Sequence, residues 1–161
     1  MATSYFFLVS LCLTWLVCGL NAEVVKTETC YSTPGQCKIS EVRIDPCREA
    51  SENRPCVVRR GTNAQISFDF TPEWSVPNVY SNVYSVGDEG DLPMPGMDTD
   101  GCKFTSCPFQ ASTKQTYTYN LPIQKKFPKG SYLIKWILRD LANETNTDTM
   151  CCFTTRIKLI K

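Results

Sequence analysis

The side chains of this 161-residue sequence with the clearest chemical potential are its cysteines. Cys12 and Cys18 lie in an apolar N-terminal run, and Cys30, Cys37, Cys47, Cys56, Cys102, Cys107, Cys151 and Cys152 follow it. A thiol can ligate a metal, act as a nucleophile or form a disulfide. Structural zinc favours closely spaced cysteine pairs, often completed by His. Only Cys102 and Cys107 come near that spacing, and the chain contains no His, so no metal site is expected. A thiol nucleophile wants a neighbouring base, and the usual neutral-pH base is missing. Disulfides remain. An even cysteine count in an exported chain implies a bridged framework. Eight cysteines allow about 105 pairings, so their number alone leaves the connectivity open.

The other candidates for catalysis are weak. Asp88, Glu89 and Asp91 lie close together, but in a Gly/Pro-rich stretch that suits a solvated turn. No GxSxG, P-loop or HExxH sequence occurs. Base, nucleophile and orienting group cannot be assembled, so the chain is expected to be neither an enzyme nor a cofactor protein. Its 17 Lys and Arg against 16 Asp and Glu give a net charge of +1. That balance offers no footprint for nucleic acid. One local cluster stands out. In "LPIQKKFPKG", residues 121–130, Lys125, Lys126 and Lys129 surround Phe127, with Ile123 just before.

These residues need elements to position them. The run "YFFLVSLCLTWLVCGL" ends at "LNA", and residues 1–22 read as a secretory signal peptide. Residues 23–161 are long enough for one domain with its own core. Asn143-Glu144-Thr145 is a glycosylation sequon in a polar run. Alternation with period two recurs: Ala64, Ile66, Phe68 and Phe70; Tyr117, Tyr119 and Leu121; Tyr132, Ile134, Trp136 and Leu138; Phe153, Thr155, Ile157 and Leu159. Weaker strands fall near 38–44 and 77–86, and Pro/Gly clusters separate the runs. Several short strands with one apolar face predict an all-β, antiparallel two-sheet sandwich. The stretch 87–101 is expected to be irregular.

"DPC" at 45–47, "PCVVRRG" at 55–61, "PMPGMDTDGCKFTSCPF" at 93–109, "YTYNLPIQKKFP" at 117–128 and "CF" at 152–153 form an ordered series. In order and spacing the series resembles the ML lipid-recognition family, which includes the Niemann–Pick type C sterol carriers and the group 2 mite allergens. The second and third stretches lean toward the arthropod, allergen-like branch. The resemblance covers nearly all of residues 24–161. It implies an immunoglobulin-like sandwich whose sheets admit one lipid between them. It also implies bridges Cys47–Cys56, Cys102–Cys107 and Cys30–Cys152. Cys37 and Cys151 depart from the family pattern and are left to pair with each other; the swapped pairing Cys30–Cys151 stays open.

The family's pocket positions fall on Ile44, Val58, Ile66, Phe68, Met94, Ile123, Phe127, Pro128, Trp136 and Phe153. Inward Ile, Phe and Trp are also what any closed sandwich needs. Met94, Ile123 and Phe127 lie in Pro-rich loops, and such residues suit the rim of an opening. Lys125, Lys126 and Lys129 would then ring the rim and dock it on an anionic membrane. Met94 stands where the sterol carriers have an aromatic ring, which loosens the expected specificity. The resemblance therefore implies a secreted or lysosomal monomer carrying a sterol or a fatty acid, in contact with a membrane or a lipid-handing receptor. Recognition of microbial lipid such as lipopolysaccharide is the alternative, and a closed disulfide scaffold is a third.

Overall fold

The computed structural model describes residues 22–30, 37–142 and 149–161. Ten strands occur among them: β1 (Glu23–Val24), β2 (Glu28–Thr29), β3 (Cys37–Asp45), β4 (Cys56–Arg59), β5 (Asn63–Pro72), β6 (Val79–Ser85), β7 (Leu92–Pro93), β8 (Gln115–Pro122), β9 (Gly130–Asp140) and β10 (Met150–Ile160). One sheet has the order β1-β3-β5-β8. The other has the order β2-β10-β9-β6-β7, with β4 also on β10. The sandwich is thus the expected one. The leader before Ala22, and the sequon at Asn143, lie outside the described residues.

Alternation sets which face is buried. Ala64, Ile66, Phe68 and Phe70 on β5 point inward, as do Tyr117, Tyr119 and Leu121 on β8. Opposite them lie Ile134, Trp136 and Leu138 of β9 and Phe153, Thr155, Ile157 and Leu159 of β10. Arg156 and Lys158 of β10 face solvent. Asp69 is the exception on β5, an outward carboxylate that is only 8% exposed. It accepts from Arg43 Nη2 at 2.8 Å and Thr116 Oγ1 at 2.8 Å, and Lys114 Nζ lies 3.1 Å away. Hydrogen bonding to Arg43 holds its carboxyl well below the usual carboxylate range, against the opposing effect of burial.

The pairing is antiparallel with one exception: β4 runs parallel to β10, with Cys56 opposite Ile157 and Arg59 opposite Ile160. The stretch 87–101 is irregular apart from β7 and the start of a 3-10 turn at Gly101–Lys103.

The four bridges are Cys30–Cys152, Cys37–Cys151, Cys47–Cys56 and Cys102–Cys107, which removes the swapped alternative. Adjacent residues of a strand point to opposite faces, so Cys151 and Cys152 reach different partners. Cys37–Cys151 joins β3 of one sheet to β10 of the other. Cys30–Cys152 instead fastens the segment at β2 to β10 within one sheet.

Candidate functional site between the sheets

A cavity of about 20 Å³ lies between the sheets at the end where β3 finishes and β9 begins. Ile44, Ala64, Ile66 and Leu121 line it from one sheet, and Val58, Ile134, Trp136 and Ile157 from the other. Ile123 and Gln65 complete the wall. The Gln65 amide turns away and donates to Asn120 Oδ1 at 3.2 Å. The remaining polar group of the lining side chains is the Trp136 indole N–H, which is buried and makes no hydrogen bond. The space is that of about one water, and its apolar wall would leave a water badly satisfied.

Ile44, Val58, Ile66, Ile123 and Trp136 were among the expected pocket residues and are brought together here. Ala64, Leu121, Ile134 and Ile157 join them. Alternation marked those four as inward, but nothing in the sequence separates cavity wall from solid core. Phe68 and Phe153 fall on the solid side. Their ring centroids are 4.9 Å apart, and Phe68 stacks on Tyr117 at 5.0 Å. Trp136 lies edge-on to Tyr117 at 5.7 Å and to Tyr119 at 5.8 Å, so it stands between the aromatic core and the cavity.

The loops over this end differ in part from the expected rim. Ile123 is 1% exposed, so it is wall rather than rim. Its backbone explains why: Ile123 N donates to Thr62 O at 2.9 Å, and Gly61 N donates to Ile123 O. These bonds carry β8 one residue past Pro122 and turn the Ile123 side chain inward. Gly61 makes the return with φ of +83°, a conformation that favours glycine. Met94 and Phe127 are half-buried and pack on the core, while Pro128 and the three lysines are exposed. The two loops abut: a Cβ at Gly96 would stand 3.1 Å from the Gln124 amide nitrogen.

Arg60 is a positioning residue that the sequence did not flag. Its Nη1 donates to the carbonyl oxygens of Lys125, at 3.0 Å, and Phe127, at 2.8 Å. One guanidinium thus straps the 123–129 loop to the turn after β4. "RRG" reads locally as a turn, and the strap is a tertiary contact.

Covalent and polar links between the sheets are unevenly placed. Cys37–Cys151 joins them on the β3 and β10 side, away from the cavity. Cys47–Cys56 ties the end of β3 to β4 near it. On the β8 and β6 side the links are hydrogen bonds. The Ser81 and Tyr117 hydroxyls lie 2.7 Å apart, and Asp98 N donates to the Tyr119 hydroxyl at 3.1 Å. Burial raises the Tyr117 hydroxyl well above the ordinary phenol range, so it stays neutral. The site therefore offers a wholly apolar surface and no charge, which suits holding an apolar body rather than transforming one.

The sequence profile of the ML domain family matches residues 24–159. The chain belongs to the ML domain family. The MD-2-related lipid-recognition protein of Manduca sexta is 38% identical to this ML domain over 147 residues, covering 91% of this chain and 92% of the relative. The NPC intracellular cholesterol transporter 2 of Bos taurus is 28% identical, covering 76% and 79% respectively. Among solved structures, a Niemann-Pick type C2 protein from Japanese carpenter ant superposes with a TM-score of 0.71 at 24% identity, over 84% of this chain and 99% of that one. That likeness concerns the fold. ML domains are lipid-binding and carrier proteins, and this one is not an enzyme.

Proposed function

We propose that this ML-domain protein is a secreted carrier that holds a single apolar lipid between its sheets, a sterol first and a fatty acid second. The observation that carries the reading is the cavity, walled by Ile, Val, Leu and Ala side chains under a pair of abutting loops. As it stands it would hold about one water, so a lipid enters only as the sheets part. The links favour one direction. Disulfides hold the β3 side, whereas hydrogen bonds bridge the β8 side. Displacement of Met94 and Phe127 would open that side, with Ile44, Val58, Ile66 and Trp136 lining the widened gap.

A ligand burying on the order of 400 Å² of apolar area gains roughly 10 kcal/mol. Association and ordering costs reduce this and leave roughly micromolar affinity. The exposed Lys125, Lys126 and Lys129 would hold the loop against an anionic membrane while the lipid passes. Four disulfides fit an oxidising compartment, and the leader fits export to it. Extracellular fluid and the lysosome are the two destinations consistent with that route.

Titration with a fluorescent sterol and a fluorescent fatty acid tests the reading. One site per chain is expected, weakened by Phe127→Asp. Failure to bind either probe would sink it. A second reading, recognition of microbial lipid for a receptor, draws on the resemblance to the Manduca lipid-recognition protein. Retention of lipopolysaccharide in preference to both probes would favour it.

A further inference from the structure

The edge of β10 is not covered evenly. β2 pairs with it at Phe153 and Thr154, and β4 joins it from Ile157 to Ile160. On that side no strand residue lies opposite Thr155 or Arg156 among the described residues, so the sheet edge has a notch there. Cys30 N donates to Cys152 O and Arg60 N donates to Ile160 O, so the even-numbered residues of β10 turn their backbone groups toward this edge. The same alternation aims the Arg156 N–H into the notch. Continuing the β2 register would bring Lys26 opposite Arg156. Lys26 is instead drawn aside where the chain crosses between β1 and β2. Its carbonyl oxygen accepts from Thr155 Oγ1 at 3.0 Å, and Val25 N donates to Val42 O at 2.8 Å.

The notch opens into a lateral pocket of about 230 Å³, more than ten times the inter-sheet space. It lies on the β2 and β4 side of the sandwich, opposite the β6 and β8 side where a lipid would enter. Its wall is mixed. Val25, Ala50 and Leu133 supply apolar surface, and Lys26, Arg54 and Arg156 supply cations. Arg54 is held by Glu52 at 2.7 Å. Among the described residues Lys26 and Arg156 enter no ion pair. Glu28 is the carboxylate of the wall itself. Three cations against Glu28 and Glu52 leave one net positive charge. A sheet edge that presents an N–H beside cations forms a concavity suited to an anion.

We propose that this lateral pocket is a second binding site, for a small organic monoanion: a carboxylate or sulfate on a compact apolar body. The oxyanion meets the Arg156 N–H and the Lys26 and Arg156 side chains, and the body lies against Val25 and Leu133. The volume is below that of pockets enclosing drug-sized ligands, which suits a compact body rather than a lipid tail. The site does not depend on what the sheets enclose.

The test titrates the folded protein, its disulfides intact, with benzoate and phenyl sulfate, and with benzyl alcohol as the neutral counterpart. Both anions should move the Arg156 amide and Leu133 methyl resonances saturably, and benzyl alcohol should not. Lys26 and Arg156 are exposed, so Lys26→Gln and Arg156→Gln spare the fold. Each should weaken benzoate binding about threefold to tenfold, the value of one charge-assisted hydrogen bond near the surface. Lys125→Gln combined with Lys126→Gln should leave benzoate binding unchanged. Absence of a saturable shift, or equal binding of benzyl alcohol, would overturn the proposal. An equal loss in the Lys125 and Lys126 double variant would also overturn it, by showing general attraction to a cationic surface. Hexadecanoate carries the same carboxylate on a lipid and should leave benzoate in place at Arg156. Displacement of benzoate would give the site to a lipid headgroup and overturn the assignment to a small acid.

Discussion

Removing the Cys37–Cys151 bridge by a double Cys→Ala substitution should cost far less than its span suggests. The bridge closes 114 residues, and alone it would contribute roughly 5 kcal/mol in the chain-entropy model. It does not act alone. Cys30–Cys152 already ties the same two regions, so the additional loop that Cys37–Cys151 closes is only about eight residues. A loop of that size corresponds to about 2.5 kcal/mol. Cys151 is 1% exposed, and the lost sulfur adds a small cavity cost of about 1 kcal/mol. Urea denaturation of the variant, with Cys30–Cys152 verified by mass, should therefore show a loss of about 3–4 kcal/mol. Lipid titration should be unaffected, because Cys151 lies about 20 Å along β10 from Ile157 at the cavity. A loss below about 1 kcal/mol, or one well above 5, would refute the shared-loop argument.

Asp69→Asn should destabilise the fold by about 1–3 kcal/mol at neutral pH, since Arg43 loses its buried carboxylate partner and keeps only the exposed Glu41. The folded carboxyl titrates below its unfolded value near 3.9, so its contribution is complete above about pH 4 and lost as the pH falls further. Acid unfolding should accordingly be shallower in the variant than in wild type, and equal slopes would contradict the assignment. Arg60→Ala should release the 123–129 loop, read as faster amide exchange at Phe127 and quicker tryptic cleavage after Lys125, with global stability reduced by about 1–3 kcal/mol. Replacing Lys125, Lys126 and Lys129 together by Gln should weaken adsorption to anionic vesicles by roughly 100-fold, at about 1 kcal/mol each, with sterol affinity in solution unchanged.

The long strands were legible because period-two alternation is a direct consequence of burying one face. β5, β8, β9 and β10 carry it plainly. β4 was not legible: "CVVR" is four residues long, and its parallel seat on β10 is a tertiary fact. The two-residue strands β1, β2 and β7 carry no periodicity at all. At the site, the inward residues were readable, but the division between the solid Phe68–Phe153 core and the space beside Trp136 depends on packing across the sheets. Pro122 and Pro128 suggest an exposed loop, which would put Ile123 at the rim. The backbone hydrogen bonds to Gly61 and Thr62, residues far earlier in the chain, bury it instead.

Strand β10 has a consequence for biogenesis. It pairs with β2, β4 and β9, and it carries the cysteines that match Cys30 and Cys37. Translation delivers it after all of them. If the chain is exported as proposed above, the earlier strands would wait with Cys30 and Cys37 unpaired until the ribosome has released their common neighbour. Oxidation that outran synthesis would then offer Cys30 and Cys37 only Cys47 and Cys56 among the nearer cysteines, neither of which is a native partner.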